Sequence, residues 1–425
     1  MISFGKKLPH KRVMISIAAL LVFPLFFQLS GKIFYDHSYN FNTMGNLSRL
    51  PIPVSIFACF SGLLIIGNYG SSKAALCMIF SFFIIMLGTT FISTKGFLDL
   101  QRDKLILLIQ FILPMFSLVL GQIYGSRESN KNIFEKTALY IVMSIIPAQL
   151  FATWLSGIPV LSPSLFIFSI YQHLQYVPTI FVSLYFIGLF TLWNQENYKK
   201  VLIFIAPLIG TYTQFSLSML TNLILFLGLF TFIVYKWVKV SDKLPIILSL
   251  LVITSSIGTY WIFRDNENFL QKYHFEKSSL AKKSEKNSSN VSERIRIWKF
   301  YITGITADKK MLLFGNAERP KRTEYPSAHN YYLDLAYNFG ILSLIPIIAM
   351  LILTLKRVFN LRKTLFEDSA LVGLVFVTFY LLLIDNSFKV GLRQPYPGII
   401  TFFLWGLLLS RLSAKQSSSS ANKAK

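Results

Sequence analysis

Charged residues are scarce in this sequence. They make up 14% of its 425 residues, whereas 53% are hydrophobic. A soluble domain carries about 25% charged residues, so the composition excludes an ordinary soluble globular protein. Many apolar runs approach the ~20 residues that a membrane-spanning helix needs. The sequence therefore predicts an all-α, polytopic membrane protein.

The sequence has only two cysteines and lacks several cofactor motifs. Cys59 and Cys77 both lie in apolar runs, so they can form neither a disulfide framework nor a Cys/His metal cluster. There is no Walker motif, no dinucleotide glycine fingerprint and no metal-binding Asp-x-Asp. We therefore expect no cofactor and no metal, and nucleotide-sugar chemistry with a bound divalent cation is not indicated.

Basic residues are the abundant charged class, and the formal net charge is +23. In a soluble protein this charge would suggest a nucleic-acid partner. Here the lysines and arginines lie between the apolar runs, where they fix topology and meet anionic lipid. We therefore expect contacts with membrane lipid and no nucleic-acid partner.

About twelve apolar runs are candidate membrane spans. Basic residues concentrate in alternate connections between them, which is the pattern of cytoplasmic segments, and this places both termini in the cytoplasm. A long polar segment before the tenth span then lies on the opposite side of the membrane. The candidate spans cover roughly residues 13–31, 53–70, 73–93, 104–124, 134–155, 178–194, 200–215, 217–236, 244–263, 338–355, 366–384 and 395–411.

The chain is thereby divided into four parts. Residues 1–263 hold the first nine spans, 264–335 form the large outer loop, and 336–411 hold the last three spans. The Ser/Lys-rich residues 412–425 are typical of a disordered cytoplasmic tail.

Part of the outer loop has a helical pattern. Asn290-x-x-Glu293 resembles a capping box. Apolar residues from Val291 to Ile305 follow at helical spacing, so we expect a short amphipathic helix over about residues 291–306. It would lie on the outer membrane face or against the helical bundle.

The stretch from Ser327 to Gly340 closes this loop. Ser327 is a good N-cap residue and follows Pro326, which predicts a helix with His329 in its first turn. The positive end of the helix dipole disfavours imidazolium, so we expect a neutral histidine beside N–H groups that can bind an anion. Chemistry on a lipid-linked phosphorylated substrate and a purely packing role for His329 are then about equally favoured.

Two arginines lie in the predicted amphipathic helix. Arg294 shares a helix face with Trp298, whereas Arg296 faces elsewhere, so both are not expected to reach one ligand. An arginine can hold phosphate oxygens through two parallel hydrogen bonds. From spacing alone, ordinary surface charges are the favoured interpretation.

The last outer connection is polar. Asp385, Asn386, Lys389 and Arg393 share the outer side with His329 by topology. Binding of sugars or pyrophosphate and a solvated turn are equally favoured interpretations for them.

Several of these features together resemble the O-antigen polymerase/ligase superfamily. They are Arg294 four residues before Trp298, the Phe314-Gly315 turn, His329-Asn330, and Gly340 ten residues after that asparagine. The motif region covers about residues 294–345. The twelve-span layout, with one large outer loop before span ten, is similar too.

The resemblance implies a glycosyltransferase of surface-polysaccharide or lipopolysaccharide biosynthesis in the bacterial inner membrane, acting on the periplasmic face. In that family the donors are glycans on undecaprenyl pyrophosphate. Polymerases extend another lipid-linked repeat unit, and ligases transfer the finished chain to the lipid A core, both without nucleotide or metal. A polysaccharide chain-length regulator is an implied partner.

The resemblance also assigns roles to residues. Arg294 would grip pyrophosphate, and His329 would activate the acceptor hydroxyl or orient the leaving group. Ligases and many relatives carry a further arginine where Ser216 stands here, so Arg393 or Arg296 is left to supply a second positive charge. The candidate substrate-binding residues are Arg296, Asn330, Tyr331, Asn386 and Arg393.

Three functions remain under consideration from the sequence. A polymerase of O-antigen or a related surface polysaccharide is favoured, and an O-antigen ligase is the alternative, weakened by Ser216. A twelve-span transporter or lipid flippase is the alternative of another class. Transporters usually show internal repeats and charges within the membrane, and neither is evident here.

Overall fold

The computed structural model describes most of the chain from Lys73 onward, and all regular elements in the described part are helical. The two predicted spans nearest the N-terminus, 13–31 and 53–70, lie largely or wholly outside the described part. The described residues are 14–15, 17–18, 20–21, 73–93, 102–126, 132–157, 159, 161, 176–216, 218–240, 243–266, 269, 290–317, 320, 325 and 327–423.

The α-helices of these residues are numbered in chain order, and short 3-10 or π segments join some of them. Their bounds are α1 Lys73–Ser93, α2 Arg102–Ile112, α3 Phe116–Gly125, α4 Ile133–Ser156, α5 Val177–Leu192, α6 Glu196–Phe215, α7 Met219–Val240, α8 Leu244–Phe263, α9 Asn290–Thr306, α10 Lys309–Phe314, α11 Tyr331–Phe339, α12 Ile345–Asn360, α13 Arg362–Leu365, α14 Ser369–Phe379, α15 Asn386–Phe388 and α16 Pro395–Lys423.

Eight helical segments in this part of the chain are long and apolar enough to cross a membrane. The prediction of an all-α membrane protein is confirmed at this level. Helix α5 is apolar but has only 16 residues. Helix α6 begins with the polar stretch Glu196 to Lys200, which shortens its apolar part. The eight segments are Lys73–Ser93, Leu107–Gly125, Ile133–Leu155, Met219–Val238, Leu244–Phe263, Ile341–Asn360, Ser369–Phe388 and Tyr396–Ser418.

The last helix extends further than predicted. Helix α16 continues through Lys423, whereas disorder was predicted for residues 412–425. No glycine or proline interrupts this stretch. The hydroxyl of Ser413 donates to the Leu409 carbonyl at 2.9 Å, and that of Ser417 donates to the Ser413 carbonyl at 3.1 Å. These serine side chains bond to carbonyls of the preceding helical turn, so they are accommodated within the helix and do not end it.

The chain divides into two compact units. In the first, which contains α4 to α8 and residues 363–377, small residues bring helices together. A Cβ atom at Gly210 of α6 would lie 2.5 Å from the Val252 carbonyl of α8. The hydroxyls of Thr179 and Thr221 join α5 to α7 at 2.9 Å. This unit is therefore a tightly packed helical cluster.

Ser216 and Ser218 form the turn between α6 and α7. The Ser216 hydroxyl donates to the Thr213 carbonyl at 2.7 Å, and the Ser218 hydroxyl accepts from the Thr221 N–H at 3.3 Å. These contacts are typical of turn residues.

The second unit contains α1 to α3, α9 to α12 and residues 378–423. Helices α3 and α16 touch backbone to backbone. A Cβ atom at Gly121 would lie 2.1 Å from the Phe403 carbonyl, and one at Gly406 would lie 2.0 Å from the Leu118 carbonyl. This rigid pair supports an aromatic core that includes Phe111, Tyr331, Phe339, Phe402 and Trp405.

Helix α9 occupies the position predicted for the amphipathic helix, and its apolar side packs within this unit. Ile297, Tyr301 and Ile305 form a buried cluster with Ala336 and Tyr337 of α11. The contacts with α11 show that α9 lies against the helical bundle, which was one of the two predicted locations.

Two glycines fix the ends of α10 and α11 against each other. Gly315 follows α10 with φ +80°, and Gly340 follows α11 with φ +76°. A Cβ atom at Gly340 would lie 2.0 Å from the Leu313 carbonyl oxygen, and one at Gly315 would lie 2.6 Å from the Asn338 carbonyl. Only glycine permits both the backbone angle and the contact, so these positions hold α11 in place.

Candidate functional site

Helix α11 begins later than predicted. Asn330, and not Ser327, is its N-cap: the Asn330 side-chain oxygen accepts from the Leu333 N–H at 3.0 Å. Ser327 instead forms a turn in which its hydroxyl accepts from the His329 N–H at 3.3 Å. The Trp298 indole donates to the Ala328 carbonyl at 2.8 Å and holds this segment outside the helix. His329 therefore immediately precedes the N-cap and is not in the first turn.

The backbone of His329 is unusual. Its φ of +48° is a left-handed value that few residues other than glycine adopt. Such conformations persist where surrounding contacts enforce them, and they cluster at functional sites. Contacts on either side, through Ala328 and Asn330, enforce it here.

The imidazole of His329 is held neutral. Its pKa is lowered from 6.5 to about 4: burial is the largest cause, the charges of Arg294 and Arg393 also lower it, and the charge of Asp334 raises it. The predicted neutral histidine agrees with this result, but burial is the main cause. At pH 7 the ring is an unprotonated proton acceptor with cations and an anion within electrostatic reach.

Arg294 and Arg296 leave α9 on different sides, as predicted from their spacing. Arg294 donates to the Phe388 carbonyl at 3.4 Å, on the side where the Trp298 ring packs 5.9 Å from that of Phe388. Arg296 is exposed and lies 5.5 Å from the centre of the Tyr325 ring. Of the two, only Arg294 faces the segment that follows the π-helical residues Tyr380–Asp385.

Arg393 is buried, which excludes the interpretation of a solvated turn. Its guanidinium lies 3.2 Å from the Asp334 carboxylate, and the two side chains are 8% and 3% exposed. It also lies 5.8 Å from the centre of the Phe111 ring. The 3-10 turn Gly391–Arg393 thus brings this cation to α11.

Asp334 was not predicted as a site residue. A signal was nevertheless present, because a carboxylate within the largely apolar helix Tyr331–Phe339 requires a buried cationic partner. The sequence alone could not identify that partner, since Arg393 lies 59 residues further along the chain.

A second buried ion pair lies in the same connection. The Lys389 ammonium contacts the Asp385 carboxylate at 2.9 Å, and both side chains are almost fully buried. Asp385 ends the π-helical segment, a geometry frequent at functional sites. The charge of Arg294 also acts on Lys389. The site therefore combines three cations, Arg294, Lys389 and Arg393, with two carboxylates.

Three residues predicted to bind substrate have other roles in their contacts. Asn386 donates to the Leu381 carbonyl at 2.6 Å and accepts from the Leu392 N–H at 2.8 Å, so its amide holds the connection together. Asn330 caps α11. Tyr331 is fully buried, and its ring packs 5.2 Å from that of Phe111. Substrate binding by these side chains is not supported by their contacts.

Lys104 is a further buried cation that sequence reasoning missed. It donates to the Asn316 carbonyl at 2.7 Å and to the Ser93 hydroxyl at 2.8 Å, and it is almost fully buried. Asn316 follows Gly315, so Lys104 stabilises the turn that packs against the end of α11. Its position indicates a structural role in holding this turn, and not a role in binding a ligand.

The combined arrangement provides a neutral proton acceptor beside cations from two separate elements. Such a site can accept a proton from a hydroxyl while neutralising a negatively charged leaving group. Among the residues that the structure describes, no group of three or more His, Cys, Asp and Glu side chains could hold a metal ion.

Comparison with known proteins adds no assignment. No protein-family model matches the chain, and no curated protein matches it.

Proposed function

We propose that this protein is a membrane glycosyltransferase. It polymerises undecaprenyl-pyrophosphate-linked oligosaccharide repeat units of O-antigen or a related surface polysaccharide on the periplasmic face. The observation that carries the proposal is the neutral His329 imidazole under the influence of Arg294 from α9 and Arg393 from the Gly391–Arg393 turn. The sequence resemblance at Arg294, Gly315, His329 and Gly340 supplies the reaction class.

The chemistry requires a base and a stabilised leaving group. His329 accepts the proton of the acceptor sugar hydroxyl, whose oxygen attacks the anomeric carbon of the donor glycan. The bond from that carbon to the pyrophosphate oxygen breaks, and its electron pair leaves with undecaprenyl pyrophosphate. Arg294 and Arg393 neutralise the charge that develops there.

Donor binding would also strengthen the base. The two guanidinium groups lower the pKa of His329 in the free protein. A pyrophosphate bound to them would offset their charge and raise that pKa toward neutrality, where a general base is most effective. The histidine would therefore become a better proton acceptor when the donor is in place.

Contacts also favour one of the two candidates for the second positive charge. Arg393 is buried and acts on His329, whereas Arg296 is exposed over Tyr325. We therefore assign Arg393 to the donor pyrophosphate.

The test is deletion of the gene followed by gel analysis of the lipopolysaccharide and the lipid-linked intermediates. A polymerase predicts loss of the ladder with one repeat unit still attached to the core. No attached repeat, with lipid-linked polymer accumulating, would instead indicate the ligase. Repeat units accumulating on the cytoplasmic face would indicate a flippase and contradict the proposal.

Complementation of the deletion strain tests the site. His329→Asn should fail to restore the ladder although the protein accumulates in the membrane, because asparagine accepts a left-handed backbone but supplies no base. Restoration of a normal ladder by this variant would contradict the role of His329.

A further inference from the structure

We propose that Asp334 is a positioning residue of this site: it holds the Arg393 guanidinium against α11, the helix that begins just after His329, and acts through that arginine. This inference rests on the proposed function and extends it to a residue that contacts no substrate.

The geometry joins two elements at Asp334. Its carboxylate lies 3.2 Å from the Arg393 guanidinium, which belongs to a turn far along the chain. Its backbone N–H donates to the carbonyl of the N-cap Asn330 at 2.9 Å, directly after His329. The ion pair thus fixes the cation of the turn relative to the start of α11.

Burial makes this pairing necessary. A charged side chain taken out of water is strongly unfavourable unless an opposite charge accompanies it. With Asp334 and Arg393 nearly inaccessible, removal of either charge leaves the other uncompensated. Arg393 would then have to reorient or to reach water, and its position near His329 would be lost.

The ion pair between Asp334 and Arg393 leaves a hydrogen-bond donor of the arginine unused. Asp334 Oδ2 is the oxygen that lies 3.2 Å from the Arg393 guanidinium, whereas Arg393 Nε has no hydrogen-bond partner within the described part of the chain. A purely structural arginine–carboxylate pair usually forms two parallel hydrogen bonds. Buried polar groups left open call for a functional explanation, and an arginine with an unused donor remains able to bind an anion.

The same carboxylate influences the base. The charged groups acting on His329 are Arg294 from α9, Asp334 from α11 and Arg393 from the Gly391–Arg393 turn. The Lys389–Asp385 pair lies alongside Arg294. Loss of the Asp334 charge lowers the pKa of His329. Displacement of Arg393 offsets only part of this change, because the effect of Asp334 on that pKa is the larger of the two.

The experiment uses the purified full-length protein with a lipid-pyrophosphate-linked repeat unit as donor and acceptor. Asp334→Asn should lower kcat by about 10- to 100-fold and raise the KM for the donor. The acid limb of its pH–rate profile should move to lower pH, a change that a merely structural defect would not produce. Asp308→Asn, an exposed acid at the start of α10, is the matched control and should behave as wild type.

A double variant tests whether Asp334 acts through Arg393. Asp334→Asn combined with Arg393→Gln should be no less active than Arg393→Gln alone. If the losses of activity in Asp334→Asn and Arg393→Gln multiply in the double variant, the inference is overturned. It is also overturned if Asp334→Asn keeps both the acid limb and the kcat of wild type. If Asp334→Asn does not fold, Asp334→Glu serves instead: it should keep the wild-type acid limb with a raised donor KM, and an unchanged KM would overturn the inference.

The outcomes separate the two proposals. Wild-type protein that transfers no glycan from the donor contradicts the proposed function. Active wild-type protein with an unaffected Asp334→Asn contradicts only the role of Asp334.

Discussion

His329 is the residue at which backbone, burial and charge combine. It lies directly before the N-cap residue with a left-handed φ of +48°, and its pKa of about 4 keeps the ring neutral at pH 7. This arrangement makes the folded protein less stable at low pH. In the unfolded chain the ring would titrate at its ordinary value near 6.5.

This difference predicts a pH-dependent stability. Between pH 6.5 and pH 4 the unfolded chain takes up a proton that the folded protein does not, so stability falls as the pH is lowered. The full difference corresponds to about 3 kcal/mol. Unfolding in detergent, followed by tryptophan fluorescence from pH 7 to pH 4, should show this loss for wild type but not for His329→Asn. Parallel pH profiles would contradict the burial of a neutral imidazole.

The two arginines of α9 give a matched pair for a second prediction. Arg294→Lys should reduce polymerisation by about 10-fold or more, because lysine keeps the charge but cannot form two parallel hydrogen bonds to pyrophosphate. Arg296→Lys, two residues away on the exposed side, should stay within about twofold of wild type. The measurement is the rate of chain extension by purified variants. Equal losses in both would remove the special role of Arg294.

At the scale of elements, the contact between the ends of α10 and α11 determines where His329 is held. Gly340→Ala would place a Cβ atom 2.0 Å from the Leu313 carbonyl in a backbone region that alanine avoids. We expect a loss of roughly 2 to 6 kcal/mol from strain and overpacking together. Thermal unfolding in detergent measures it. Gly88→Ala in α1, where a Cβ atom meets nothing within 4 Å, should leave stability unchanged or slightly raised. Similar melting of both variants would show that this contact is unimportant.

Elements with a strong local pattern could be predicted from the sequence, and their junctions could not. The helical spacing from Val291 to Ile305 located α9 within a residue of each bound. Ser327 and Asn330 are both good N-cap residues, so local preference could not choose between them. The choice follows from the long-range hydrogen bond of Trp298 to Ala328.

The candidate site shows the same division. His329 and Arg294 became site candidates through the resemblance of their sequence motifs to a known family. The proposed choice of Arg393 over Arg296 depends on which segment folds back onto α11, and Asp334 entered the proposed site only through that contact. The local sequence around a residue does not show which distant segment of the chain it will contact.

At the scale of the whole molecule, the eight membrane-length helices agree with a polytopic protein, and the sidedness of α9 remains a prediction. It follows from the distribution of basic residues between the apolar runs. It is also essential to the proposed function, because α9 carries Arg294 and must lie on the periplasmic side.

Single cysteines test this sidedness in a chain in which Cys59 and Cys77 have been replaced by serine. A cysteine at Lys299, on the exposed side of α9, should react with a membrane-impermeant maleimide in intact spheroplasts. A cysteine at Asn360, exposed at the end of α12, should react only after permeabilisation, since α12 is predicted to return the chain to the cytoplasm. Both variants should react equally once the membrane is opened, which controls for access to each thiol. Reaction at Asn360 but not at Lys299 in intact spheroplasts would place Arg294 and His329 in the cytoplasm, where they could not extend a polymer on the outer face.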